Sequence, residues 1–544
     1  MAVMPQRAPG RRSVRRWRAV WGCSALLSLA WSRPVTGHLA DPPVLVVADT
    51  VTGALAQYHV AVGAFASAFG LLAWDGGLLT DELRAPLNGL TVRDLPLNAA
   101  PPGWWNYTSR DIGRRLNLKD VRRIPERVNP QDTTPDDDGD NGFGSYVEHI
   151  REAQLDEGYL RMQGTRAYIS VALRQLAIGS SIPMDPAMIA VDRGELYALE
   201  GYAEVLLADL FCSGVPLNTF AEVPVARMGL IRPYRTEKDY YLQILGNRNQ
   251  ALVYKSALTR QGQIVYHPSA TTTQVYQAAL AKFDTALSLV GDSARILNLA
   301  RVGKGRAWSD LGQYDSAAAA VAQVPQGFVY ALRTRVNLDP DGDEEDGTVA
   351  DREGRNGLPF ISSGDPRTTT KWIEADKLVT KVRVPARFSD LDSDGIGPVT
   401  FTLASWEEAV LIHAEAALQR NAADGTWLHL LNQLRATAPI PGTTQPDPTQ
   451  LPPLTDPGTD RARIALLFAE RAKWLFLTGH RQGDLRRLVR EYHWPQAQVY
   501  PTGPYIVPEG FVGQVGTYGT DVNLPIPPEE LANPLFHGCL DRGP

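Results

Sequence analysis

Carboxylates and arginines set inside an apolar pattern are the residues of this chain best placed to do chemistry. They concentrate in Ile464–Leu488, IALLFAERAKWLFLTGHRQGDLRRL. There Ile464, Leu467, Phe468, Ala472 and Leu475 follow the spacing of one apolar helix face. Glu470, Arg471, Arg481 and Asp484 lie within or beside that face. Such charges serve either as an acid–base set or as a structural lock. Buried charge is tolerated only when paired and hydrogen-bonded. Gly479 supplies a turn and Asp484 opens a second short helix, so the expected unit is a helical hairpin that pairs these four charges internally. The lock is the expectation, and Glu408 and Glu415 on a second apolar helix are read the same way.

The search for a catalytic set finds no HExxH, no GxSxG elbow, no Gly-rich phosphate loop and no cysteine–histidine metal spacing. The nine histidines stand singly, and His413 reads as a satisfied core residue. Sixty carboxylates make some acidic pair inevitable, so a glycosidase dyad does not follow from their presence. Three acidic loops invite a calcium reading. Asp390, Asp392, Asp394 and Gly395 form the D-x-D-x-D-G opening, although position twelve is Phe401 and not Glu. Asp137–Glu148 has Gly139 at position three, and 339–347 lacks the central glycine. Calcium is therefore an expectation for Asp390, Asp392 and Asp394 first. For ligand binding, flat aromatic faces flanked by polar groups suit a sugar ring. Trp104, Trp105, Asn106 and Tyr107 supply both in the loop PPGWWNYTSRD, with Trp74 as a second candidate. The alternative is that these rings fill a gap between helices.

The elements that must position these residues are mostly helical. At 544 residues, with 44% hydrophobic and 21% charged residues, the chain holds enough material for several cores. Forty Pro and 47 Gly suggest helices joined by long ordered loops. Segments 50–85, 143–180, 185–212 and 401–418 carry helical apolar spacing. Residues 271–330 read as paired helices with tetratricopeptide character at Gly305, Ala307, Leu311, Gly312, Tyr314 and Ala317. One such unit is too few for a free-standing solenoid. Residues 335–400 read as loop-rich and acidic.

Charge and cysteines set the compartment. Residues 1–33 carry seven Arg and no acid, which leaves 47 basic against 60 acidic residues in the remainder, a charge of −13. A body so acidic argues against nucleic acid or anionic lipid as partner. Six of these arginines precede the apolar run Ala19–Trp31, the pattern of an export signal spanning 1–37. Two processing sites stand open: cleavage near Val35-Thr36-Gly37, or acylation at Cys23. No later segment reads as long and apolar enough to span a bilayer. Export would leave Cys212 and Cys539 as an even pair under oxidising conditions. A disulfide is expected, with two separate buried thiols as the alternative.

Glu470-Arg471, followed by Gly479, Arg481, Asp484, Leu485 and Arg487, resembles a C-terminal tract of the SusD/RagB family of surface nutrient-binding proteins. Thr478 stands where the family usually has Glu, and Gly483 where an aromatic is common. Further tracts resemble the family in order. These are Thr80-Asp81-Glu82; the helix 194–217 with Arg193 and Tyr202, which has Cys212-Ser213 in place of Tyr-Gly; and Asp365-Pro366-Arg367. Trp406, Glu408, Leu411, Ile412, Ala414, Glu415, Ala416, Asn432 and Arg435 follow, then Leu524–Pro527 with Glu530, Asn533 and Pro534. The resemblance implies a mainly α, SusD-like fold of tetratricopeptide-like helix pairs with long inserted loops. It implies a single domain over 38–544, whose C-terminal part is about 331–544. It further implies a non-catalytic outer-membrane protein on the cell-surface side, a lipid anchor at Cys23, and an oligosaccharide or peptide ligand passed to a TonB-dependent β-barrel transporter. The rival readings are a periplasmic helical-repeat scaffold that binds another protein and, more weakly, a secreted hydrolase.

Overall fold

The computed structural model describes residues 51–84, 142–178, 185–221, 263–337, 348–374, 381–392, 395–443, 447, 449–504, 518–527, 530–531 and 533–544. Its first helix, α1 (Val51–Leu79), is apolar nearly all round in its second half, where Phe65, Phe69, Leu72, Trp74 and Leu79 are buried. A helix without a polar face belongs in an interior. Ala54–Leu79 is in fact long and apolar enough to cross a bilayer, contrary to the sequence reading. However, 78% of its most apolar window is buried inside the protein, so it serves as the central core helix. It packs on α2 (Gly142–Ile178), α3 (Pro186–Leu210) and three later elements.

Among the described helices, those from α2 to α8 each lie against the next. α3 packs on α4 (Thr272–Leu289), α4 on α5 (Ala294–Asp310) and α5 on α6 (Tyr314–Val321); the series continues through α7 (Trp406–Asn421) to α8 (Thr426–Thr437). The local code is legible at the helix starts. Asp185 caps α3 ahead of Pro186, Thr271 and Gln274 form a capping box on α4, and the Ser405 hydroxyl accepts from the Glu408 amide at the start of α7. Glycine lets α3, α4 and α5 approach closely. A Cβ at Gly303 would stand 2.4 Å from the Phe283 ring, and one at Gly201 would stand 2.8 Å from it. Phe283 is therefore gripped between the two helices at their glycines, with the Tyr202 ring edge-on to it at 5.2 Å.

The stretch read as loop-rich contains paired strands. β4 (Val329–Asn337) and β8 (Ile396–Ser405) form an antiparallel ladder with one irregularity at Tyr330/Ala331. Leaving after α6 and returning into α7, this pair closes off an insertion without breaking the helix series. Within the insertion, β5 (Thr348–Val349) pairs with β1 (Leu83–Arg84), and β6 (Thr370–Glu374) pairs with β7 (Lys381–Pro385). Alternating burial of Tyr330, Leu332 and Val336, and of Val382 and Val384, explains why these polar-looking runs become strands. A further short pair joins β2 (Thr219–Ala221) to β3 (Gln263–Val265). The chain ends with α9 (Asp460–Trp474), α10 (Arg481–Arg490) and α11 (Gln496–Val499). The tail then returns to the end of α3. Leu524 exchanges backbone hydrogen bonds with Leu210 and Cys212, Ser213 pairs with Leu540 and Asp541, and Cys212 and Cys539 form a disulfide. One contiguous apolar cluster runs from Ala54 to Ile526.

Candidate functional site

Helix α10 is ten residues long, yet Arg481, Gln482, Asp484, Arg486 and Arg487 are all buried. Each reaches a different part of the chain. Arg481 clasps Asp81 after α1 with two bonds of 2.6 and 2.9 Å. Gln482 donates to the Val522 carbonyl and accepts from the Tyr500 hydroxyl. Asp484 accepts from Arg471 of α9 at 2.8 Å. Arg486 donates to the carbonyls of Ala208, Asp209 and Phe211, covering the C-terminal end of α3, where a cation also answers the helix dipole. Arg487 binds Glu415 of α7, Asp310 of α5 and Asp484 of its own helix. Gly483 stands 3.2 Å from the Asp209 carboxylate by its Cβ position, which explains why this chain has no aromatic there.

The expected internal pairing of the hairpin therefore holds only for Arg471 and Asp484. Arg481 is committed to Asp81, and Glu470 accepts from Arg367 and Arg435 of other elements. Separation in sequence hid these partners: Arg481 and Asp81 are 400 residues apart. Arg367 also grips Asp365, its own turn cap, and lies over the Trp474 ring. Glu408 accepts two bonds from Arg306 of α5 and lies 2.9 Å from His480 Nε2. At the other end of the tail, Glu530 accepts from Tyr159 and Asn218, and Asn533 donates to the His267 carbonyl. His413, as expected, is satisfied, by the Ala318 carbonyl.

The electrostatics fit a lock. Burial works against the Asp484 charge, yet Arg471 and Arg487 outweigh it and hold the carboxyl well below its ordinary value. Burial likewise opposes ionised Glu408, but Arg306 and His480 hold it at about 2. Elsewhere burial wins. It pushes Glu82 up to about 8 against the Leu477 amide and Arg481, and it lifts Asp209 to about 8 with Asp310 adding to the rise. Carboxylates bound by two or three arginine donors hold elements together and are poorly suited to passing protons. A cavity of about 190 Å³ lies beside the network, lined in part by Arg387, Glu407, Trp474, Phe476, Thr478 and His480.

The ligand and metal candidates fare differently. Trp104, Trp105, Asn106 and Tyr107 lie outside the described residues, as do Cys23, the export segment 1–37, Asp394, Asp137 and the 339–347 loop. Trp74 does not offer a binding face: it is 1% exposed, near the C-terminal end of α1, where the helix is covered on all sides. Asp390 turns to Arg333 at 3.0 Å, and Asp392 accepts from the Ile396 amide in a local turn. Among the described residues no three His, Cys, Asp or Glu side chains gather at a metal-binding distance. Missed by the sequence reading is Trp372 on β6, which is 51% exposed and carries the Arg383 guanidinium 4.3 Å from its ring centroid. Only the strand alternation of β6, with Ile373 buried beside it, could have signalled that this tryptophan points outward.

No protein-family model matches the chain, and no curated protein sequence matches it. Solved structures similar to it are SusD-like. A SusD superfamily protein from Bacteroides fragilis aligns with TM-score 0.49 and 14% identity, covering 90% of this chain and 99% of that one. A SusD-like carbohydrate binding protein from Bacteroides vulgatus aligns with TM-score 0.44 and 13% identity, over 90% and 97%. A laminarin binding SusD-like protein aligns with TM-score 0.45 and 14% identity, over 90% and 99%.

Proposed function

We propose that this chain is a SusD/RagB-type binding protein without catalytic activity. It would capture oligosaccharide at the cell surface and pass it to a TonB-dependent β-barrel transporter, breaking no bond. The observation that carries this reading is the convergence of the resembling tracts. Asp81, Arg367, Glu415, Arg435, Glu470, Arg471, Arg481, Asp484 and Arg487 come from five separated stretches, and buried ion pairs join them. Residues that resemble a family pattern and also satisfy one another support a shared architecture. In the proposed organisation, 1–37 is the export signal, with Cys23 as the acylated residue or cleavage near Gly37. Residues 38–544 form one domain on the outer face of the outer membrane, and the Trp104–Tyr107 loop holds the ligand. Calcium at Asp390, Asp392 and Asp394 stays outside the proposal, because the first two already have protein partners.

Two experiments test the reading. The purified chain is titrated against a panel of soluble glycans and assayed for product. Binding without turnover is expected, and hydrolysis of any glycan would sink the claim. Mild solubilisation of membranes from the native host is expected to recover the chain together with a β-barrel transporter. Recovery without one would count against delivery. The series of adjacent described helices α2 to α8 favours the runner-up, a periplasmic scaffold presenting a helical surface to another protein. That reading predicts no affinity for any glycan.

A further inference from the structure

Trp372 is the exposed member of a rigid pair. In the β6–β7 register it stands directly opposite Arg383, so both side chains leave the same face of the hairpin. The other face is anchored: Ile373, Val382 and Val384 are buried, and the Arg383 amide donates to Thr348 Oγ1 at 2.8 Å. The other large hydrophobic side chains exposed among the described residues are aliphatic. Burying an indole would remove a large apolar area from water, yet here the ring is held half in solvent by a hairpin that cannot turn it inward. Arg383 lies over that ring, and among the described residues no carboxylate pairs with it. In a body that carries 60 acidic residues, this half-buried guanidinium is left without an acidic partner among the described residues.

From this pairing we infer that Trp372 and Arg383 form a subsite for an acidic oligosaccharide, one that contains hexuronic acid units. The inference rests on the carbohydrate reading above and narrows its ligand class. A pyranose offers a flat CH face for the indole, and the carboxylate of a hexuronate suits the planar fork of arginine, which lysine would not reproduce. The stacked ring fixes the guanidinium, so little side-chain freedom is lost on binding. Net repulsion between the acidic body and an anionic chain is screened beyond roughly 8 Å at physiological salt, and short-range pairing then decides affinity.

Affinity gel electrophoresis and calorimetry with de-esterified polygalacturonate and with soluble starch test the proposal, using the wild-type chain, Trp372→Ala, Trp372→Phe and Arg383→Gln. The wild type is expected to bind polygalacturonate. Trp372→Ala and Arg383→Gln should each weaken that binding about tenfold, with Trp372→Phe closer to wild type. Both side chains lie on the surface, and matching melting curves verify folding. Polygalacturonate binding that neither substitution changes overturns the subsite. Starch binding without polygalacturonate binding also overturns it, while leaving the carbohydrate reading intact. Failure to bind either of these or any glycan of the wider panel removes that reading and the inference with it.

Discussion

A buried arginine is defined by what it would leave behind. Arg481 and Asp81 are both nearly inaccessible and hold each other through two hydrogen bonds. Arg481→Ala is expected to cost about 3–5 kcal/mol in urea denaturation, because Asp81 would stay buried without its counter-charge. Adding Asp81→Ala should cost less than the sum of the single changes, the sign of direct coupling. Protonation gives a second check. Glu82 and Asp209 have folded pKa values raised to about 8 from 4.5 and 3.8. Raised acids stabilise the fold fully below their unfolded values and lose that contribution as pH rises through the folded value. Stability is therefore expected to fall from pH 5 to 8, by up to about 1.4 kcal/mol per pH unit for each group. Glu82→Gln keeps the acceptor for the Leu477 amide and should flatten the slope measured by urea midpoints. Glu408, held at about 2, works in the other window. Its contribution is present above 4.5 and lost as the pH falls toward 2.

At the scale of elements, helix pairing depends on what is missing as much as on what is present. The tetratricopeptide-like tract 271–330 was legible from its small residues, and α4 to α6 follow it. That Gly201 and Gly303 face one phenyl ring was not legible, since the two glycines are on different helices and Phe283 is on a third. Gly303→Val should force Phe283 from its slot and lower stability by about 1–3 kcal/mol or more in thermal or urea unfolding. A gain in helix propensity over glycine only partly offsets it. The strands of the insertion escaped the sequence reading for a related reason. Arg333, Arg335 and Arg383 alternate with buried Leu332, Val336, Val382 and Val384, and the charged members dominate the average. The ion-pair hairpin was read correctly as a lock. Its geometry was read too locally, because sequence spacing reveals i, i+3 and hairpin neighbours but not a partner in another helix.

Over the whole molecule, the tail closes the structure onto α3. The Cys212–Cys539 bond spans 327 residues, and backbone pairs on either side of it hold the same two segments. Reduction, or Cys212→Ser with Cys539→Ser, should lower the melting temperature, with a loss of about 2–5 kcal/mol from freeing so long a loop in the unfolded state. Intact thermal stability after reduction would show that the backbone pairs alone suffice. By itself the sequence determined the fold class: apolar spacing and capping residues specify the helices. It also named the charges that had to be buried, because an Arg or Glu inside an apolar stripe demands a partner wherever that partner lies. Only the tertiary structure decided which partner each charge took. It also decided that Trp74 belongs to the core and that Trp372 faces water. Burial is a property of what the rest of the chain packs against, and a tryptophan in a sequence carries no record of its neighbours.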